Sequence, residues 1–473
     1  MGDHRLELDP RLWAQHEFRH ARLGHAARHK RLVQCAAILY ADAASSIPRA
    51  CESWAEAKGL YRFCDNPQVT HDQLLHGHIE ATVDRVAGCA AILVAADTTH
   101  FSFGGRDDSD LGPVDTTGTS RGFMCHSALA FDAVTRRPLG LLAQKVWVRQ
   151  KAPHRKTDSR RRRQRPRESQ KWADVATQAD QHLARLGVAK PCVIELFDAE
   201  GDHFETIEQL NSLGHDFVIR ACRDRLLDTP DVVDEEDDPE RKHLSEAAMT
   251  APVLGRFSTT IPPRRMRPAR DVQFEVRATK VLLRPPSSRN REGESIEVGL
   301  TYAYELKPPE TGPRICLLLL TRQGVTTLEE GRVAVQQYLA RWLIEEFHKA
   351  VKTGCSFEKR ELQTSARLMN LLALTCPVAV QMLTLKHTVR EEPKALASTV
   401  LNEDQLHALR TLRPKMRAQP SLYEALREIA GLGGFLGRKH DGEPGWQRLW
   451  LGFRDLLLAE QIHRAARCRY ESG

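Results

Sequence analysis

The chain has 473 residues, 41% of them hydrophobic, which is more than one compact core usually holds and predicts two or three domains with substantial interiors. A net charge of +7 with a pI near 8.8, spread over a surface charged in both signs, suits an anionic partner without requiring one. Eleven cysteines are scattered from Cys35 to Cys468 with no C-x-x-C pair and no histidine at zinc-ligand spacing, which speaks against a disulfide scaffold or zinc finger and for reduced thiols in a cytoplasm.

The N-terminus, MGDHRLELDP, lacks the basic-then-apolar pattern of a signal peptide. Residues 1–70 are rich in Arg, His and Ala, with Trp13, Phe18, Leu23, Leu32 and Ile38 at helical spacing, and predict a small basic helical domain. From about Ala90 the pattern changes. AAILVAAD, HSALAFDA, RPLGLLAQKVWV, PCVIELFD and DFVIRACR are short apolar runs bounded by turn residues, as buried strands are, with a helical pattern from Lys171 to Gly187 among them. A mixed α/β domain follows. The run of Lys and Arg from Arg155 to Arg167 reads equally as a solvated loop or as a phosphate-contacting arm.

Beyond Arg220 come an acidic run, DVVDEEDD, and then VLLRPP, IEVGLTYAYEL and RICLLLLT, which predict a β-rich insertion with solvated loops. Helix returns at Thr327. The apolar stretch Leu368–Leu385 carries Asn370, Thr375, Pro377 and Gln381, so a buried helix is expected there rather than a membrane span, and no membrane partner. Near the C-terminus, Trp446, Leu449, Trp450, Phe453, Leu456 and Leu457 form one apolar stripe that either packs on its own domain or meets a partner chain, own-domain packing being slightly favoured.

Chemistry concentrates at three points. Asp97 closes AILVAAD and Asp198 closes VIELFD, so each is expected at the C-terminal end of a buried strand, rigidly held and facing a site. Asp202 has Glu205 three residues on, the capping-box arrangement that opens a helix, and Glu200 lies in the turn, so Asp198 is the better candidate. On a straight helix, Tyr338, Arg341, Glu345 and Lys352 fall within an arc of about 60°, with His348 beside it and Phe347 opposite. A salt-bridged exposed helix is the plain alternative, although Glu345 and Lys352 are too far apart to pair. Three carboxylates suffice to hold two Mg²⁺ or Mn²⁺ ions for in-line phosphodiester cleavage, with Arg341 and Lys352 on the phosphates and Tyr338 on a phosphate or base.

The helix YLARWLIEEFHKAVKTG, ADTT around Asp97, FDAEGD at Asp198 and FVIR ending at Arg220 closely resemble the bacterial insertion-sequence-four family of DDE transposases, in particular its Tn-five-like members. LYRFCDNPQVT, ESQKW with Lys171, GLGGF and GWQRLW extend the resemblance over nearly the whole chain. It implies an RNase H-like mixed-sheet catalytic core over 71–365, with a β-rich insertion about 225–322. Flanking it would be an all-helical end-binding domain over 1–70 and a helical C-terminal dimerisation domain over 366–473. It also implies a cut-and-paste route, with two metal ions held by Asp97, Asp198 and Glu345. Water nicks one strand, the freed 3′-OH forms a hairpin, a second water opens it, and the 3′ ends join target DNA. Cleavage would occur in trans within a homodimer synapsed on double-stranded DNA, which moves the tryptophan stripe toward a partner contact.

By resemblance Arg220 binds phosphate, and His348 and Lys171 join the DNA contacts. Arg28, Lys30, Arg31 and Arg62 either contact end DNA or only keep the surface soluble. Where some relatives place a Trp that accepts a flipped base, ICLLLLT offers Leu317, and stacking without a ring is weaker. Two other functions stay open: an RNase H-like nuclease that cuts without joining, and a non-catalytic DNA-binding regulator.

Overall fold

The computed structural model describes residues 6–104, 110–115, 117–150, 168–187, 189–228, 242–261, 269–286, 294–310 and 312–471; the arginine run at 155–167 and the acidic run at 231–238 lie outside them. The chain opens with helices α1 (Pro10–Glu17), α2 (Ala26–Ala41), α3 (Ile47–Ala50), α4 (Trp54–Cys64) and α5 (His71–Val86). Their starts follow from local chemistry. Asp9 accepts the Arg11 and Leu12 amides ahead of Pro10, and Thr70 and Gln73 form a capping box before α5.

Then come β1 (Ala91–Ser102), β2 (Gly112–Pro113), β3 (Arg121–Asp132), β4 (Pro138–Trp147), α6 (Lys171–Leu183), β5 (Cys192–Phe197), α7 (Phe204–Leu213) and β6 (Asp216–Arg220). They are followed by β7 (Leu227–Asp228), α8 (Leu244–Thr250), β8 (Val253–Ile261), β9 (Arg270–Leu283), β10 (Ile296–Glu305) and β11 (Cys316–Thr321). β1, β3 and β4 form an antiparallel meander, while β5 and β6 run parallel to β1 on its other side. The strands beyond β6 extend the same sheet. β11 pairs antiparallel with β6, and β10, β9, β8 and β7 continue outward, so one mixed sheet runs through them all.

The sheet separates two apolar clusters. Ile92, Val94 and Ala96 of β1 face α6, α7 and α8, whereas Leu93 and Ala95 face the opposite cluster, which reaches from Trp13 to Leu457. That second cluster contains α9 (Leu328–Ala340), α10 (Trp342–Lys349), α11 (Ser365–Glu391), α12 (Glu403–Leu412), α13 (Leu422–Leu432) and α14 (Trp446–Glu471). α11 is long and apolar enough to cross a membrane by length and composition, but 83% of its apolar window is buried inside the fold, as expected of a core helix. A buried ion cluster ties the N-terminal helices to the sheet. Arg85 grips Glu17 at 2.9 and 3.0 Å, His78 hydrogen-bonds Glu17, and the Leu141 amide donates to His78 Nε2 at 2.9 Å.

The tryptophan stripe of α14 is spent within the chain. Trp450 is 2% exposed and Phe453 0%, with Phe453 edge-on to Tyr40 of α2, so these residues brace the molecule rather than face a partner. α13 and α14 approach at backbone contact. A Cβ on Gly452 would lie 1.7 Å from the Ile429 carbonyl and one on Gly433 2.0 Å from that of Arg448, which is why glycine stands there.

Candidate active site

β1 continues past Asp97 to Ser102, because TTHFS is β-prone and pairs residue for residue with β3. Asp97 therefore sits inside the strand, not at its end. Asp198 does follow the last residue of β5, where its Oδ1 accepts the Glu200 amide at 2.9 Å and fixes the turn. In the β1–β5 ladder Ala95 pairs with Leu196, so two residues further along Asp97 and Asp198 stand side by side on the same face. That face is the one on which Ile344 and Phe347 seat α10.

Asp202 is not the helix cap expected of it. His203 holds that position, and Asp202, 1% exposed, instead accepts the Cys222 and Arg223 amides at 2.9 and 3.2 Å and pairs with Arg225, fastening the loop after β6.

The helix bearing Tyr338, Arg341, Glu345 and Lys352 is not one straight rod. α9 ends at Ala340, α10 begins at Trp342, and a π-helical turn spans Ala350–Gly354. The side chains are consequently shared out rather than aligned. Arg341, 7% exposed, donates to Glu345 at 2.7 Å, lies 3.9 Å from Asp97 and stands 5.9 Å from the Tyr338 ring. Burial works against its charge, but Tyr338, Asp97, Glu345 and Asp198 together raise its pKa. Lys352, beyond the π turn, faces Glu358 at 3.8 Å. Glu345 and Lys352, too far apart to pair with each other, thus each have a different partner. Phe347 anchors the helix as expected, at 1% exposure, while Glu346 turns to Lys349 and Lys386 at 3.6 Å each.

Burial first, and then the like charges of Asp198 and Glu345, push the Asp97 carboxyl up to about 7 against the pull of Arg341 and the Thr98 amide. His348 Nδ1 lies 3.8 Å from Asp97, and burial with the neighbouring Lys352 and Arg341 pushes this imidazole down to about 3, so it is neutral. It is 8% exposed, as is Tyr338, so neither presents itself to solvent as a phosphate contact. Sequence reasoning missed His126, across β3 from Thr98, whose Nδ1 meets Thr98 Oγ1 at 2.9 Å and steadies the strand beside Asp97.

A buried carboxyl on whose charge two further carboxylates act suits a hard divalent ion in donor chemistry. Spacing is another matter. Among the described residues no three His, Cys, Asp or Glu side chains stand close enough to hold a metal between them, and Glu345 is paired with Arg341.

The remaining candidates spread outward. Lys171 is 7% exposed, lying near the Trp147 and Trp172 rings with Glu200 at 3.6 Å, which places it in the wall of the fold. Arg220 is exposed at the end of β6. Lys30, Arg31 and Arg62 are exposed on the N-terminal helices, and Arg28, half-buried, donates to the Leu23 carbonyl at 2.8 Å. Leu317 is 5% exposed in the apolar core and presents no stacking surface.

Two segments match described families. Residues 10–69 match the family described as Transposase DNA-binding, and residues 378–473 match the Transposase Tn5 dimerisation domain.

Proposed function

From the premise that the chain is a Tn5-like transposase, which both family matches support, we propose that it cuts transposon ends and joins their 3′ ends to target DNA at a DDE site made of Asp97, Asp198 and Glu345. The carrying observation is that Asp97 of β1 and Asp198 just past β5 lie two residues beyond the paired Ala95 and Leu196, with Asp198 and Glu345 both near enough to act on the charge of Asp97. The antiparallel meander flanked by two parallel strands supports an RNase H-like core.

The three carboxylates would hold two Mg²⁺ or Mn²⁺ ions, which supply activation of the attacking oxygen and stabilisation of the leaving one. Arg341 is the pivot of the chain's own contribution. A phosphate accepting its guanidinium fork frees Glu345 to turn toward the two aspartates. Lys352 adds a point charge beside it. Neutral His348 borders Asp97 without adding positive charge to it. Arg28, Lys30, Arg31 and Arg62 contact the backbone of end DNA from the N-terminal helices, and Arg220 a phosphate nearer the cut.

The dimerisation match concerns the C-terminal helices. On α14, opposite the buried tryptophan stripe, Leu458 and Ile462 are 55% and 63% exposed one helical turn apart, a seam that a second copy would cover. An assay with paired end DNA and Mg²⁺ tests the reaction: both cut ends and strand-transfer products are expected. Cutting without joining would instead support a nuclease.

A further inference from the structure

The backbone beyond α10 takes an unusual course. After the π turn, Ser356 adopts φ 47°, a left-handed conformation that is strained for a residue other than glycine. The surroundings hold it there. Phe357 is fully buried, 4.9 Å from the Phe101 ring and 5.9 Å from Phe103. Arg360 donates to the Cys355 carbonyl at 3.0 Å and to the carbonyls of Ala43 and Ser45 in the N-terminal helical region. The result is to aim the intervening Glu358 back at the site. Its Oε1 accepts the Ser102 amide, from the end of β1, at 3.0 Å, and lies 3.8 Å from Lys352 Nζ, which itself stands 5.6 Å from the Phe101 ring.

A backbone N–H and an ammonium converging on one anionic oxygen make a phosphate cradle. We propose that Glu358 holds the place of a DNA phosphate in the free protein, its carboxylate filling the cradle of Ser102 N–H and Lys352 until a backbone phosphate displaces it. The proposal rests on the reading of Lys352 as a phosphate contact. The contact is of the kind that exchanges. The two side chains are 34% and 25% exposed, and an ion pair this long and this wet contributes little. A phosphate brings more acceptor oxygens to the same donors. Glu358 thereby keeps the Lys352 head beside β1 without competing strongly for it.

The test is binding of a fluorescein-labelled random-sequence duplex by the full chain in EDTA, followed by anisotropy over a range of salt. Glu358→Gln keeps an acceptor for the Ser102 amide and removes the charge. It should bind roughly two- to fivefold tighter than the parent, with a salt dependence steeper by about one unit of slope, because Lys352 now releases a counterion on binding. The gain should exceed that of Glu361→Gln, an exposed neighbouring acid, and should collapse to that level in a Lys352→Ala background. Matching melting curves for the variants confirm that folding is intact. No gain over Glu361→Gln, or a full gain that survives Lys352→Ala, overturns the placeholder while leaving the Lys352 reading in place. A Lys352→Ala variant that binds as well as the parent removes the premise, and the proposal with it.

Discussion

Asp97 is a carboxylate held against its own charge. Its folded pKa, about 7, lies above the ordinary 3.8, so the folded chain binds this proton more tightly than the unfolded one. The stability that protonation contributes is present in full below about pH 4 and is lost as pH rises through 7. Asp97→Asn should therefore melt higher than the parent in EDTA at pH 8, its unfolding free energy being larger by a few kcal/mol at most at ~1.4 kcal/mol per pKa unit. The gap should close toward pH 4. Parallel melting temperatures across that range, followed by calorimetry, would show that the carboxyl is not strained. Asp97 and Asp198 stand out in the sequence because each closes an apolar run, although only Asp198 lies at the end of its strand. Asp202 was misjudged because its partners, Cys222, Arg223 and Arg225, lie some 20 residues away and no local pattern announces them. Glu358 carries no signal at all, its anchor Ser102 being 256 positions distant.

At the scale of elements, hydrophobic periodicity located β1, β3, β4, β5 and β6 and the helix opening at Thr327, whose capping box with Glu330 is present. It did not find the break at Arg341 or the π turn at 350–354, because periodicity assumes an unbroken helix and both deviations are set by tertiary packing. One reason is visible at Gly354, where an added Cβ would lie 2.4 Å from Trp450 Nε1: α14 presses directly on the turn after the active-site helix. That contact also explains why the tryptophan stripe is internal. The partner surface proposed above is the opposite face of α14, where Leu458 and Ile462 are exposed. Leu458→Glu with Ile462→Glu should leave the monomer's unfolding free energy within about 0.5 kcal/mol of the parent, as exposed sites do, yet abolish the dimer in sedimentation on DNA. An unchanged dimer would move the interface elsewhere.

For the whole molecule, the sequence pattern separates helical ends from a β-containing middle, and the fold joins them more tightly than composition indicates. Glu17, His78 and Arg85 fasten α1 to α5 and β4, while Arg360 fastens the segment carrying Glu358 to the carbonyls of Ala43 and Ser45. The residues that would bind DNA ends and those that would cut them are thus mechanically continuous. That continuity arises from contacts hundreds of residues apart, which no window along the chain contains. The most direct test uses a plasmid carrying the gene with its native flanking DNA, incubated with Mg²⁺ and purified protein. The parent should excise and transfer the segment, and Asp97→Ala, Asp198→Ala and Glu345→Ala should each lose about a hundred- to a thousandfold in cleavage, the scale on which a single electrostatic group in an active site counts, while still binding the DNA. Cleavage retained by any one of the three would contradict a shared site.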